Sequence, residues 1–140
     1  MTRILEFAGL ILGATLVCLG GCGGPAPPAT EPPPENVALQ EIGQMYSSYI
    51  NEFKRPPQAG KDLMRYAPAF SHGSMAIQNQ DVVLFGGANL EPDTTTVLAY
   101  EKAVPKSGGV VLLLDGETVK AMTAQEFQVA SKAGKEETPR

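Results

Sequence analysis

The chain is expected to fold as one α+β domain: an N-terminal amphipathic helix packed on a small antiparallel sheet, with a late Asp-Gly hairpin and a short C-terminal helix. Three observations predict this. Apolar residues recur at three- and four-residue steps from Val37 to Phe53, the spacing of one helix face. Short β-prone runs separated by turn residues follow, from Val82 onward. Asp115-Gly116 then sits between the apolar run Val110–Leu114 and Val119, a pairing that suits the positive backbone angles of a tight hairpin.

The elements can be justified in order. Gly23 to Pro34 carries six of the twelve prolines, with little apolar surface to offset ordering. It reads as an extended, disordered spacer. Asn36 is placed to cap the first helix, whose buried stripe is Val37, Leu39, Ile42, Met45, Tyr46, Tyr49, Ile50 and Phe53. The tyrosines belong to that core stripe, with their phenol oxygens reaching the domain edge. Pro56-Pro57 ends the helix, since proline disfavours helical geometry at the residue before it. Gly60–Tyr66 reads as a short second helix that stops before Pro68. Met75–Asn79 and Val82–Phe85 read as two strands joined by a tight turn at Gln80-Asp81.

Thr95–Glu101 is β-prone and alternates from Val97, and Pro105–Gly109 is the next turn. Val110–Leu114 is continuously apolar, as expected of a central strand covered on both faces. Asp115-Gly116 is expected to form a two-residue type I′ turn to a strand over Glu117–Ala121, with Val119 facing inward. Thr123-Ala124-Gln125-Glu126 has the pattern of a capping box opening a short helix with Phe127 and Val129. The charged residues from Ala133 onward read as a frayed tail.

The N-terminal residues speak of location. Met1-Thr2-Arg3 precedes an apolar run from Phe7 to Leu19, too short to span a hydrocarbon core of about 30 Å comfortably. It ends in Leu19-Gly20-Gly21-Cys22, a stretch that resembles the lipobox of bacterial lipoproteins. The resemblance implies cleavage between Gly21 and Cys22, a diacylglycerol on the Cys22 sulfur and acylation of its amine. Cys18 follows the bulky Val17 rather than a small residue, which disfavours it as the site. In that family an aspartate after the cysteine favours the inner membrane. Gly23 stands here, so outer-membrane anchoring is expected, with the domain on the periplasmic or exterior side. The implied organisation is 1–21 signal peptide, 22–35 lipidated cysteine and tether, 36–132 domain and 133–140 tail.

From Val37 to Phe127, the helix, Arg55-Pro56-Pro57, Asp62-Leu63 and the hairpin Leu114-Asp115-Gly116-Glu117-Thr118-Val119 resemble the globular heads of pilin-like and type II secretion pseudopilin proteins. A closer likeness is to small uncharacterised bacterial lipoproteins with the same Tyr-rich helix, Leu-Ala-Tyr-Glu strand and Asp-Gly hairpin. Pseudopilins assemble through a continuous apolar helix that runs into the head. Here six prolines would interrupt it, and the Gly-Phe-type cleavage motif is missing. Only the shape of the head carries over.

The remaining residues offer little chemistry. A formal net charge of -4 argues against a nucleic-acid partner. Ser71-His72-Gly73-Ser74 with Asp81 makes a triad on paper, without a nucleophile elbow. One histidine, with Cys22 lipidated, cannot complete a zinc set. Asn89, Glu91 and Asp93 lack the ligand count of a calcium loop. Gly86-Gly87 lacks the lysine and glycine spacing of a phosphate loop. The expectation is an envelope lipoprotein acting as a binding or structural module, with no catalytic residue, cofactor, metal or small-molecule substrate. Its partners are the membrane, through the lipid on Cys22, and envelope proteins. A pilin-like accessory of a secretion system is the alternative, and a hydrolase using His72, Asp81 and Ser74 comes third.

Overall fold

The computed structural model describes residues 34–137, with side chains from Val37 onward. The proposed signal peptide, the Cys22 anchor and the proline-rich spacer up to Pro33 lie outside the described residues, as do residues 138–140. Helices and one five-stranded antiparallel sheet make an α+β fold.

Helix α1 spans Pro34–Phe53. It begins three residues earlier than expected, at Pro34 rather than Val37, so Asn36 lies in its first turn rather than capping it. Proline suits the first turn because its missing N–H would have no partner there. Leu39, Ile42, Met45, Tyr46 and Tyr49 are buried, one continuous stripe. The helix stops at Lys54, which takes the left-handed conformation (φ 56°) and donates its N–H to the Ile50 carbonyl at 2.8 Å. Helix α2 (Gly60–Leu63) runs into a 3-10 turn at Met64–Tyr66.

Helix α3 spans Ser71–Gln78, where a loop and a strand over Met75–Asn79 were expected. The correction has a packing cause. Gly73, Ser74 and Ala76 form a buried small-residue face, and a Cβ on Gly73 would lie 3.0 Å from that of Glu41 on α1. Only a helix places residues three apart on one side at that closeness.

The sheet order is β4-β3-β2-β1-β5, with β1 Val82–Gly86, β2 Val97–Glu101, β3 Gly109–Leu113, β4 Val119–Met122 and β5 Lys135–Glu136. Strand β2 lies at the centre, and the apolar run over Val110–Leu114 is interior but next to the β4 edge. A register shift separates Val97 from Ala99. Both faces of the sheet are covered. On one, the position of a Gly43 Cβ on α1 lies 3.4 Å from Leu112. On the other, the Phe127 ring of α5 (Ala124–Val129) lies 4.6 Å from that of Tyr100, which in turn meets Phe85 at 5.6 Å. Ala99 pairs with Leu112 and Tyr100 with Val111, and adjacent residues point to opposite faces. That is why Val97 through Tyr100 are all buried.

The β3–β4 connection differs from a two-residue type I′ turn. Gly116 has positive φ (75°) and Asp115 does not. Pairing resumes only where Leu112 meets Val119. The Asp115 carboxylate instead accepts the amides of Glu117 and Thr118 and the Thr118 hydroxyl. An acid that bonds the main chain two and three residues on builds the wider turn by itself.

Helix α5 opens with the expected capping box: the Thr123 hydroxyl accepts the Glu126 amide, and the Glu126 carboxylate accepts the Thr123 amide. Thr123→Ala is expected to cost about 1 kcal/mol, read as a lower urea midpoint at unchanged slope. Val129, paired with Phe127 in the sequence reading, is 86% exposed. At the other end of α5, Lys132 donates to the carbonyls of Phe127, Gln128 and Ala130 and lies over the Phe127 ring.

The segment from Ala133 is not frayed as far as Glu137. Ala133 is buried and donates its N–H to Val97 at 2.8 Å. Gly134 turns the chain at φ 55°, and β5 then pairs with Phe85 and Gly86 of β1. Two carboxylates fasten it: Glu136 accepts the Tyr100 phenol at 2.8 Å, and Glu137 accepts the Gly60 amide at 2.7 Å.

Candidate functional site

The residues with the most reactive side chains are held apart in local bonds. His72 opens α3, with Nδ1 3.0 Å from one oxygen of Glu41, while the other Glu41 oxygen accepts the Gly73 amide at 2.7 Å. Ser74 donates its hydroxyl to the Ser71 carbonyl. Asp81 follows the opposite end of the helix, roughly 12 Å along at 1.5 Å per residue. No geometry here joins Ser, His and Asp.

Asp93 accepts both the amides and the hydroxyls of Thr95 and Thr96. These bonds hold its carboxyl down at about 2. The acid thus clasps its own turn, and Glu91 meets Asp93 only through the main chain, its carbonyl accepting the Asp93 amide at 2.6 Å. Burial pushes the Asp115 carboxyl up, but its bonds from Thr118 and Glu117 bring it below the usual range. Among the described residues no three His, Cys, Asp or Glu side chains group to hold a metal ion. Gly86 abuts the main chain of Gln58, whose carbonyl oxygen would lie 2.1 Å from an added Cβ. The Gly87 amide donates to the Pro57 carbonyl. The glycine pair is a packing contact between β1 and the loop that follows α1, not a phosphate cradle.

Tyr46 and Tyr49 are buried as expected of core residues. The Tyr46 hydroxyl donates to the Ala88 carbonyl at 2.6 Å. Burial raises this phenol to about 12, against the opposing effect of that bond. Burial and the Glu136 carboxylate raise Tyr100 likewise.

The candidate site is a groove along the outer edge of β1. Asp81 accepts the Lys102 amide on the β2 side, so the main-chain groups of Val82 and Leu84, by alternation, point away from β2. The Leu84 carbonyl is taken by the Glu137 amide at 3.0 Å. Val82 has no strand partner on that side among the described residues, because β5 pairs only with Phe85 and Gly86. Beside it opens a groove of about 430 Å³. Its other walls are Ile77 and Gln78 from the last turn of α3, Gln80, Gly60, Lys61 and Glu137. Gln80 holds positive φ (59°). Gln78, Gln80 and Lys61 are exposed, and Ile77 and Val82 are half-buried. Volume and mixture match a small binding cleft.

Sequence reasoning missed this groove. Its walls come from positions 59 to 84 and from Glu137, and no local pattern ties the last to the first. Among the described residues no helix is long and apolar enough to cross a membrane. The chain matches no protein-family model, no curated protein and no solved structure.

Proposed function

We propose that this chain is a lipid-anchored bacterial envelope protein whose head acts as a binding or structural module rather than as a catalyst. The observation that carries the reading is Leu19-Gly20-Gly21-Cys22 closing a short apolar run, with a proline-rich spacer just beyond. A single acyl chain binds a bilayer marginally, whereas two or three hold firmly, so a triacylated Cys22 would keep the head at a membrane surface. Two features of the head support a binding role. His72, Asp93 and Asp115 are engaged in bonds that build helices and turns, and a groove of about 430 Å³ opens beside β1. The outer membrane is the proposed location, from Gly23.

Cys22→Ser tests the anchor. Expressed in a bacterial host, the variant is expected to leave the membrane pellet and to lose labelling by an alkynyl fatty acid. Labelling equal to that of the natural chain would overturn the reading. A second reading, a pilin-like accessory of a secretion system, rests on the helix packed across an antiparallel sheet. Co-purification with secretion-machine components after membrane solubilisation would favour it.

A further inference from the structure

We infer that a cleft between the middle of α1 and the β3–β4 turn binds a small aliphatic diamine. It is separate from the groove beside β1, and it adds a ligand class to the proposed binding role.

The cleft has a volume of about 350 Å³. Its floor is firm, because Gly43 of α1 and Gly116 of the turn meet there too closely to admit even a Cβ on Gly43. The walls lie away from both ends of the described chain. Gly43 and Ser48 are roughly 14–21 Å along α1 from Pro34, at 1.5 Å per residue. The turn is three strands from β5. That strand starts opposite Gly86 and runs toward Leu84, away from the end of the sheet where Leu113 meets Val97 and β3 turns.

Charge decides what the cleft takes. Asp115 and Glu117 line it, and no lysine or arginine does. Among the described residues the ion pairs are Arg65–Glu52 and His72–Glu41, so both carboxylates of the cleft lack a cation. Asp93 adds a further negative charge, near enough to act on the Asp115 carboxyl. Like charges this close repel, and a bound cation relieves them.

A compact divalent ion does not suit the cleft. Calcium wants about six to eight oxygens, whereas the Asp115 carboxylate already accepts two amides and the Thr118 hydroxyl. An ammonium asks for less, since it has three donors to place. The exposed Glu117 carboxylate and the hydroxyls of half-buried Ser47 and Ser48 offer acceptors for them. The cleft also has an apolar part, the half-buried Phe70 and Leu90. Those two side chains suit methylenes, and an aromatic face attracts a cation as well. A short carbon chain with an ammonium at each end meets all of these features.

The probe is cadaverine, titrated at constant ionic strength into the full-length lipidated protein in a neutral detergent and read by amide NMR shifts. Saturable shifts are expected at Gly43–Ser48 and Asp115–Glu117. The pentanediol of the same length, without charge, should leave these amides unmoved. Glu117→Gln removes an exposed carboxylate and should weaken binding about tenfold. Asp81→Asn removes the same charge from an exposed position at the far end of the sheet and should bind as the natural chain does. Absence of saturable shifts, shifts confined to another surface, or an equal response to the diol would each overturn the inference. So would undiminished binding by Glu117→Gln, or an equal loss in Asp81→Asn, the mark of diffuse attraction to net charge. The two readings fail separately: an acylated protein that ignores cadaverine sinks only this inference, and cadaverine binding by an unacylated chain sinks only the anchor.

Discussion

Gly43→Ala is expected to destabilise the domain by about 3 kcal/mol or more, although alanine is the better helix former. In an isolated helix the exchange would gain about 1 kcal/mol. In this fold an alanine Cβ would stand 2.0 Å from the carbonyl oxygen of Gly116 and 3.4 Å from the Leu112 side chain. The first contact is with main chain, which cannot rotate aside as a side chain does. Gly116 is itself pinned, because it holds positive φ and its Cβ position abuts Leu90. Relief therefore requires α1 to lift from the sheet over Leu39, Ile42 and Met45, all fully buried. Overpacking of such a contact costs about 1–3 kcal/mol even where neighbours yield. Thermal denaturation should show a midpoint lower by on the order of 10 °C. Gln44→Ala, one residue along on an exposed position, should stay within about 0.5 kcal/mol. A Gly43 variant as stable as the natural chain would mean that α1 does not seat on the β3–β4 turn.

The second large effect is at Tyr46. Tyr46→Ala is expected to cost about 3–5 kcal/mol, the range for emptying a large aromatic site in a core. Tyr46→Phe separates ring from hydroxyl. It keeps the packing but leaves the Ala88 carbonyl without its donor, a loss of about 1–2 kcal/mol. The phenol also sets a pH dependence. Its value in the folded chain is about 12, raised from 10.0. Stability from the neutral phenol is therefore complete below pH 10 and is lost as pH rises toward 12. Tyr100 is raised too and contributes to the same decline. Urea denaturation at several pH values should show the natural chain losing more stability over this window than Tyr46→Phe. Parallel curves would mean that the hydroxyl stays solvated.

How much of this was legible in the chain depends on whether the deciding forces are local. The stripe from Leu39 to Tyr49 is long enough for its period to be unambiguous, and Thr123 with Glu126 carries its cap within four residues. The strands at Val82 and Val97 are bounded by turn residues. Met75–Asn79 is different. Five residues mixing Met, Ala, Ile and Gln do not separate a helix from a strand by period. Their conformation is decided by α1, through the close seat of Gly73 and the Glu41 carboxylate on its amide. The reactive look of Ser71–Ser74 disappears for the same reason, since these residues are the first turn of that helix. Asp115-Gly116 marked a real reversal, but the carboxylate's grip on Thr118 widened it. The tail was misread because Glu136 and Glu137 are charged, and their partners, Tyr100 and Gly60, lie 36 and 77 residues away. The candidate groove was hidden with them, as one of its walls is that tail.

The strand order has a consequence for the timing of folding. The pairs β1–β2, β2–β3 and β3–β4 each join neighbours along the chain, whereas β1–β5 links its middle to its last residues. A nascent polypeptide can zip the first three hairpins as each emerges, with little loop-closure entropy to overcome. The β1 margin then waits, unfilled, until Lys135 and Glu136 have left the ribosome. Synthesis thus passes through a stage in which the whole length of β1 is bare, the moment of greatest exposure to stray strands.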